Sequence, residues 1–373
     1  MNSFIPVSQP LFTGREKTYL NQCLDSGWIS SEGPFVKEFE KKFSEFIGMP
    51  YGVAVSSGSA ALDIAIELLN LQPGDEIILP TFSIVSPLFS ILKAGGIPVF
   101  VDSDPITWNM ETSSVEKKIT NKTKAIIVVH TYGIPVDLEP IMKLVKKHDL
   151  FLIEDAAEVH GQKYNGKKCG SFGDMAIFSF YANKNINTGE GGMILMKEND
   201  LFERAKRLRN LSFHPDKPRF IHEEMGWNYR FTNMQAALGL AQLENLENTL
   251  SIKRAMGEFY NKELQFLLQR GFLLPVHETS YAQNDYWVFG LVCPNEEERE
   301  GFIKCLKENN IGYRPFFWSL HEQPLLKEYD FNTSERFPVS ENLSRMGFYI
   351  PSGPGISRDE LKWVSERIRK WYE

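Results

Sequence analysis

A chain of 373 residues is too long for one small hydrophobic core and too short for several typical domains, so two packed domains are expected. The hydrophobic fraction of 42% and the charged fraction of 24% are ordinary for a globular protein. No uninterrupted apolar run reaches the ~18 residues of a membrane-spanning helix, which predicts a water-soluble protein without a membrane partner. The net charge of −7 comes with no tract of Lys and Arg, which disfavours nucleic acid as a partner.

The N-terminal stretch and the cysteines bear on the cellular compartment. Residues 1–7 lack the basic start and apolar run of a secretory signal, which predicts a cytoplasmic protein. The four cysteines stand far apart, with no Cys-x-x-Cys pair and no histidine at ligand spacing. This spacing argues against a disulfide framework and a zinc site, so we expect buried thiols and no metal.

In chain order, residues 50–200 alternate short apolar runs with longer amphipathic ones, the pattern of βα units that build a mainly parallel sheet. The apolar runs predict strands at 52–55, 76–79, 98–101, 125–129 and 150–153. The amphipathic runs predict helices at 59–69, 86–94, 136–147 and 201–208. Two further predicted strands, 175–181 and 192–196, flank a polar loop, and loops between strands often carry chemistry.

The pattern changes in the last third of the chain. A long amphipathic helix at 232–248 leads out of the first domain. The remaining predicted elements are helices at 253–269, 296–309 and 358–372 and strands at 286–293 and 312–316. We therefore predict a large α/β domain over residues 1–250, with helices on both faces of its sheet, and a smaller α+β domain over 251–373.

A carboxylate ends one of the apolar strands. Asp155 follows Phe151-Leu-Ile-Glu, and the carboxyl ends of strands form the ligand crevice of open α/β sheets. An Asp at this position would equally well cap the following helix, so the residue is open to both interpretations on its own.

A lysine stands between an apolar strand and a glycine-rich turn. Lys184 follows the run Ser179-Phe-Tyr-Ala-Asn and precedes Gly189, Gly191 and Gly192. It could be a surface loop lysine. A lysine held against apolar strands loses hydration, however, which lowers the pKa of its amine and makes it a nucleophile for Schiff-base chemistry.

A third feature is the strand-to-helix turn Ser57-Gly58-Ser59. Free N–H groups at a helix N-terminus favour an anion such as phosphate, although turns of small residues are common. A partner for a ring nitrogen, a Schiff-base lysine and a phosphate site together are what pyridoxal phosphate requires.

These motifs are similar to those of the sugar aminotransferases (DegT/DnrJ/EryC1/StrS), which are fold-type-I pyridoxal-phosphate enzymes, and the perosamine-synthase-like nucleotide-sugar 4-aminotransferases in particular. The resemblance covers nearly the whole chain. The matching stretches are 23–31, 57–62, 101–104, 154–158, the Lys184 segment, 227–233 and 314–317.

The resemblance implies a role for each residue around the cofactor. Asp155 would pair with the pyridinium nitrogen, Glu158 would lie near the phenolic oxygen, and Lys184 would form the Schiff base and move the proton. Ser57, Gly58, Ser59 and Ser179 would bind the phosphate together with Asn228 of a second subunit, which implies a homodimer with shared active sites.

The resemblance also points to the substrate side. Residues expected to bind substrate are Trp28, His160, Arg230 and Arg314, and the two arginines suit a carboxylate or phosphate because a guanidinium binds such groups bidentately. His160 could equally be a structural hydrogen-bonding residue, and either arginine an interface salt bridge. Ile84 stands where the family usually stacks an aromatic side chain on the cofactor, and Phe89 and Thr131 also depart from the pattern.

The expected reaction moves an amino group from L-glutamate to a ketone, foremost C4 of a nucleotide-linked 4-keto-6-deoxy sugar for surface polysaccharide. Because the departures cluster beside the pocket, a smaller phosphorylated ketone such as dihydroxyacetone phosphate is the alternative. A dehydratase or regulator that lacks the lysine is disfavoured by Lys184. A plain nucleotide-binding module has no Gly-x-Gly-x-x-Gly or Walker sequence to support it.

Overall fold

The computed structural model describes residues 3–12, 14–214, 216–329, 331 and 334–373. Its centre is a seven-stranded sheet in the order β1-β9-β8-β5-β4-β2-β3. The strands are β1 (Tyr51–Val55), β2 (Glu76–Pro80), β3 (Ile97–Val101), β4 (Thr123–Val129), β5 (Phe151–Asp155), β8 (Met175–Ser179) and β9 (Gly192–Met196). A small hairpin, β6 (Lys163–Tyr164) and β7 (Lys167–Lys168), lies between β5 and β8. Of the seven strands, β9 alone runs in the direction opposite to the other six, which confirms the mainly parallel sheet.

Helices cover both faces of this sheet. They are α1 (Arg15–Ser26), α2 (Pro34–Ile47), α3 (Gly58–Leu68), α4 (Ser86–Lys93), α5 (Leu138–His148), α6 (Asn199–Arg209), α7 (Asn233–Glu244) and α8 (Leu246–Glu263). A hydrophobic core lies on each face of the sheet, and alternate residues of each strand point into opposite cores. Ile126 belongs to the core that contains residues of α2, α5 and α7, and Ile127 to the core that contains residues of α3, α4 and α6. The result is the three-layer α/β architecture expected from the sequence.

The sequence-based elements differ from the structure in the N-terminal region and at one break. Helices α1 and α2 are absent from the prediction, although Val36, Phe39, Phe43 and Ile47 of α2 repeat at helical spacing and are buried. The predicted helix at 232–248 is in fact two helices, because the chain turns at Asn245 between α7 and α8.

A second, smaller sheet lies in the C-terminal part, in the order β10-β12-β11. Its strands are β10 (Phe289–Val292), β11 (Arg314–Pro315) and β12 (Gly347–Ile350), with helices α9 (Glu296–Glu308), α10 (Pro338–Met346) and α11 (Arg358–Tyr372). The predicted strand 286–293 begins three residues late, because Tyr286 has a positive φ of 49° that interrupts extended backbone. Helix α10 and strand β12 are absent from the sequence-based prediction.

The N-terminal residues 3–12 form an extended segment, here called the strap, that joins the C-terminal part. Ile5 exchanges backbone hydrogen bonds with Asn310 and Gly312 and is buried in the same core as Phe289. Val7 accepts a backbone hydrogen bond from Ser352. Residues from both ends of the chain therefore complete this core.

The predicted division at residues 250 and 251 falls inside α8, which crosses it without a break. A separate core of C-terminal residues is present, but Leu320, Leu326 and Phe337 pack against the large sheet's core. The two-domain division stays a prediction. In the part of the chain that the structure describes, no helix combines the length and apolar character needed to cross a membrane.

Candidate active site

A cavity of about 310 Å³ opens where β5 and β8 end and α3 begins. Most of the residues that the sequence analysis singles out meet here. The predicted residues that line it are Ser57, Gly58, Ser59, Ile84, Asp155, Glu158, Ser179, Lys184 and Arg314. This is the crevice at the carboxyl ends of the strands, where open α/β sheets bind ligands.

The turn before α3 is built as an anion cradle. Ser57 is extended and caps the helix by accepting the Ala60 N–H at 3.1 Å, which leaves the remaining N–H groups of the first turn for a ligand. Gly58 faces Ser179 so closely that a Cβ on Gly58 would lie 2.9 Å from the Ser179 Cβ. The Ser59 hydroxyl lies 2.8 Å from the hydroxyl of Ser86. Hydroxyls and N–H groups thus converge in a space suited to a phosphate.

Asp155 is the last residue of β5, and only 3% of it is exposed. Its Oδ1 accepts the Ala157 N–H at 3.2 Å, so the alternative of a local turn-capping contact is also present in the structure. Burial raises the pKa of this carboxyl, and a cation brought next to it would offset that cost. A protonated ring nitrogen in the cavity would be such a cation.

Lys184 is held in the loop after β8 by backbone hydrogen bonds. Its N–H donates to the Tyr181 carbonyl, and the following Ile186 N–H donates to Nδ1 of His160. Only 9% of Lys184 is exposed, and burial lowers the pKa of its amine. A lowered pKa gives more free amine at neutral pH, as a Schiff-base lysine requires.

Glu158 connects the lysine to the loop after β4. One carboxylate oxygen lies 3.5 Å from the Lys184 Nζ, and the other accepts the Tyr132 N–H at 2.8 Å. Burial, the largest influence, raises the pKa of Glu158 to about 7, although the nearby ammonium acts in the opposite direction. This carboxyl can therefore hold or release a proton near neutral pH.

The C-terminal part contributes one wall of the cavity. Trp287, Arg314, Phe317 and Tyr349 line it. Arg314 on β11 is paired across the sheet with Tyr349 on β12, so the guanidinium and the phenol are neighbours. Trp287 and Tyr349 are site residues that the sequence analysis missed. Trp287 lies in the predicted strand 286–293 but in no recognised motif, and Tyr349 lies on a strand that was not predicted.

Two predicted substrate residues lie outside the cavity lining in this chain. His160 is 1% exposed and lies among Phe43, Phe178 and Phe180, where its role is to accept the Ile186 N–H. Burial lowers the pKa of its imidazole to about 3, so it is neutral. Trp28 follows α1 and is 52% exposed.

Asn228 and Arg230 also lie apart from the cavity. The Asn228 side chain accepts a hydrogen bond from Arg230 Nε at 2.9 Å, and Arg230 lines a second cavity of about 370 Å³ together with Lys206 and Arg207. Within one chain the predicted phosphate contact of Asn228 is therefore not formed. A phosphate contact of Asn228 in the cavity of a second subunit stays a prediction.

The sheet and this cavity define a pyridoxal-phosphate enzyme of the aminotransferase fold: the cradle fits the phosphate, Asp155 the ring nitrogen and Lys184 the Schiff base. The chain belongs to the DegT/DnrJ/EryC1/StrS aminotransferase family, which matches residues 11–369. It is a pyridoxal-phosphate-dependent transaminase.

Individual relatives and solved structures extend over the same length. The chain is 41% identical over 372 residues to the GDP-perosamine synthase of Escherichia coli O157:H7 and 38% identical over 371 residues to that of Vibrio cholerae, with 99% of each chain covered. The aminotransferase TlmJ from Streptoalloteichus hindustanus superposes with a TM-score of 0.91 at 28% identity, covering 99% of this chain and 98% of its own. A Streptococcus pneumoniae protein described as a sugar aminotransferase, in its PMP form, gives 0.91 at 26% identity over the same shares.

Proposed function

We propose that this aminotransferase transfers the amino group of L-glutamate to C4 of a nucleotide-linked 4-keto-6-deoxy sugar, in the manner of a GDP-perosamine synthase, for surface polysaccharide synthesis. The full-length similarity to relatives named GDP-perosamine synthase carries the proposal. A smaller phosphorylated ketone is not favoured, since the relatives at 36–41% identity are named for the sugar product.

The residues of the chain divide the work between binding and proton transfer. Pyridoxal phosphate, when bound, supplies a carbonyl that reacts with amines and a cationic ring that withdraws electrons. Asp155 keeps the ring nitrogen protonated, and the Ser57–Ser59 turn and Ser179 hold the phosphate. Lys184 Nζ removes the proton from the amine-bearing carbon of the donor and returns one to the acceptor carbon.

The polar groups of the C-terminal wall suit an anionic substrate. Arg314 is exposed at the cavity edge beside Tyr349, whose hydroxyl stays protonated because burial raises its pKa to about 12. A guanidinium and a phenol side by side offer hydrogen-bond donors to a carboxylate or phosphate oxygen. We assign Arg314 to the donor carboxylate or the diphosphate of the sugar nucleotide.

A homodimer with shared sites forms part of the proposal. Ile84 and Tyr181, which line the cavity, expose 42% and 41% of their surface, and Phe89 on α4 exposes 39%. Exposed apolar surface that forms a patch is characteristic of interfaces. Asn228, Arg230 and Trp28 would reach the partner's cavity from the opposite side, whereas His160, buried behind the lysine loop, would hold that loop through the Ile186 N–H. We also propose a cytoplasmic location, because the four buried cysteines are unpaired, as in a reducing compartment.

The substrate is tested by supplying the purified enzyme with L-glutamate and one ketone at a time, and measuring 2-oxoglutarate release. We expect turnover with a nucleotide-linked 4-keto-6-deoxy sugar and little with dihydroxyacetone phosphate. Preference for the small ketone would overturn the sugar assignment but leave the transaminase intact.

Shared sites are tested by mixing two inactive variants, Lys184→Ala and Asn228→Ala. If Asn228 acts in the partner's site, each mixed dimer has one cavity with both residues intact, so activity returns on subunit exchange. If Asn228 acts within its own chain, every cavity in the mixture carries a lesion, and no activity returns.

A further inference from the structure

The reacting lysine lies against an aromatic ring that the sequence analysis does not assign to the site. The Nζ of Lys184 is 3.6 Å from the centre of the Trp287 ring. The same Nζ is 3.5 Å from a Glu158 oxygen. The amine therefore contacts both a π face and a carboxylate.

Trp287 is fixed at several points. Its indole N–H donates to the Asn183 carbonyl at 3.0 Å, directly before the lysine in the chain. Its own carbonyl accepts a hydrogen bond of 3.0 Å from the buried ammonium of Lys253 on α8. Gly133 packs closely against the backbone of Trp287, because a Cβ added at Gly133 would lie 2.5 Å from the Trp287 backbone nitrogen. The ring is thus held rigidly, although residues 286–288 form no regular element.

We propose that Trp287 is a positioning residue for transamination, which holds the released amine of Lys184 with its ring face and fixes the lysine loop through its indole N–H. The inference deepens the proposed function, since it rests on Lys184 as the reacting lysine. It is independent of which ketone is aminated.

The physical reason is that the Lys184 side chain is alternately attached to the cofactor and released from it during each turnover. A free lysine side chain in an open cavity has many rotamers, and recapturing the productive one costs conformational entropy. The negative face of an indole attracts an ammonium, and more strongly so where water is excluded. The ring would also oppose the effect of burial, which lowers the pKa of Lys184.

The charged and titratable groups around Lys184 are Glu158, Asp155 and the neutral imidazole of His160. None of these is altered by substitution of Trp287. A change in the titration of Lys184 in a Trp287 variant would therefore report on the ring itself.

The test uses the full-length chain freed of cofactor. Brief acetylation at a series of pH values, followed by mass spectrometry, gives the labelling pKa of Lys184, with exposed Lys143 as the internal standard. We expect Trp287→Leu to lower the labelling pKa of Lys184 by roughly one pH unit, because the cation–π contact is lost. Trp371→Leu, at an exposed position on α11, is the matched control and should leave the profile unchanged.

A second variant keeps the test decisive if the leucine variant fails to fold. Trp287→Phe retains a ring face but lacks the N–H, so we expect a smaller fall in the labelling pKa and faster amide exchange across residues 183–186. An unchanged or raised labelling pKa in the leucine variant, or no change in either measurement in the phenylalanine variant, overturns the proposal. Since neither measurement needs substrate, failure of the sugar assignment would not affect the outcome.

Discussion

The close approach of α3 to β8 gives the most direct test of the phosphate cradle. Gly58→Ala adds a single methyl group where the structure has no room for it. The new Cβ would lie 2.9 Å from the Ser179 Cβ, whereas an ordinary contact needs at least 3.4 Å. The helix start and the strand end must therefore separate by about 0.5 Å.

This displacement falls on the groups that hold the phosphate. Overpacking of this kind costs about 1–3 kcal/mol, and tenfold in affinity corresponds to about 1.4 kcal/mol. If most of the cost falls on the cofactor-bound state, pyridoxal phosphate should bind roughly 5- to 150-fold more weakly. The backbone of Gly58 is helical, so no conformational strain adds to the effect.

The assay is titration of the cofactor-free chain with pyridoxal phosphate, followed by the visible absorbance of the bound cofactor. Gly301→Ala is the control, because a Cβ there meets nothing nearer than 3.7 Å. It should leave the affinity unchanged and stabilise α9 slightly. A dissociation constant for Gly58→Ala within twofold of the wild type would refute the reasoning.

Four further predictions concern the reacting groups. Lys184→Ala should abolish transamination, and full 2-oxoglutarate release would contradict the role of this lysine. Asp155→Asn removes a buried countercharge worth about 3–5 kcal/mol, so kcat with glutamate should fall roughly 150- to 5,000-fold with an unchanged circular dichroism spectrum. Burial raises the pKa of Glu158 from 4.5 to about 7 in the folded chain, so binding of a proton by this carboxyl stabilises the folded state. This stabilisation is complete below pH 4.5 and is lost as the pH rises through about 7. Glu158→Gln should therefore stabilise the cofactor-free chain relative to the wild type more above pH 7 than below pH 4.5, and equal differences in melting temperature would argue against this. Arg314→Gln should raise KM more than it lowers kcat, and an unchanged KM for both substrates would exclude the guanidinium from binding.

Local patterns predict the central sheet well. Strands such as β4 and β5 are buried on both faces and read as continuous apolar runs, and turns of small residues mark where helices begin. Two groups of the cavity follow directly from these elements, Asp155 at the end of β5 and Gly58 at the start of α3, and are consequently predictable from the sequence.

The remaining wall depends on contacts between distant parts of the chain. Trp287 reaches Asn183 across 104 residues, and the contacts of Gly133 and Lys253 that hold its segment also come from other parts of the chain. Tyr349 enters the cavity because β12 pairs with β11, and the four-residue strand β12 is too short to give a clear periodic signal. The position of Asn228 relative to a cavity involves a second subunit, which one sequence does not place.

The strap has a consequence for the order in which the protein folds. Ile5 is synthesised long before its backbone partners at Asn310 and Gly312, and Val7 long before Ser352, whose N–H it binds. The β8–β9 and β4–β5 pairings can form while synthesis continues, whereas the core that contains Ile5 is complete only after Val364 and Ile368 are made. We therefore expect a nascent chain ending near residue 300 to protect the large sheet from proteolysis while its N-terminal segment remains cleavable.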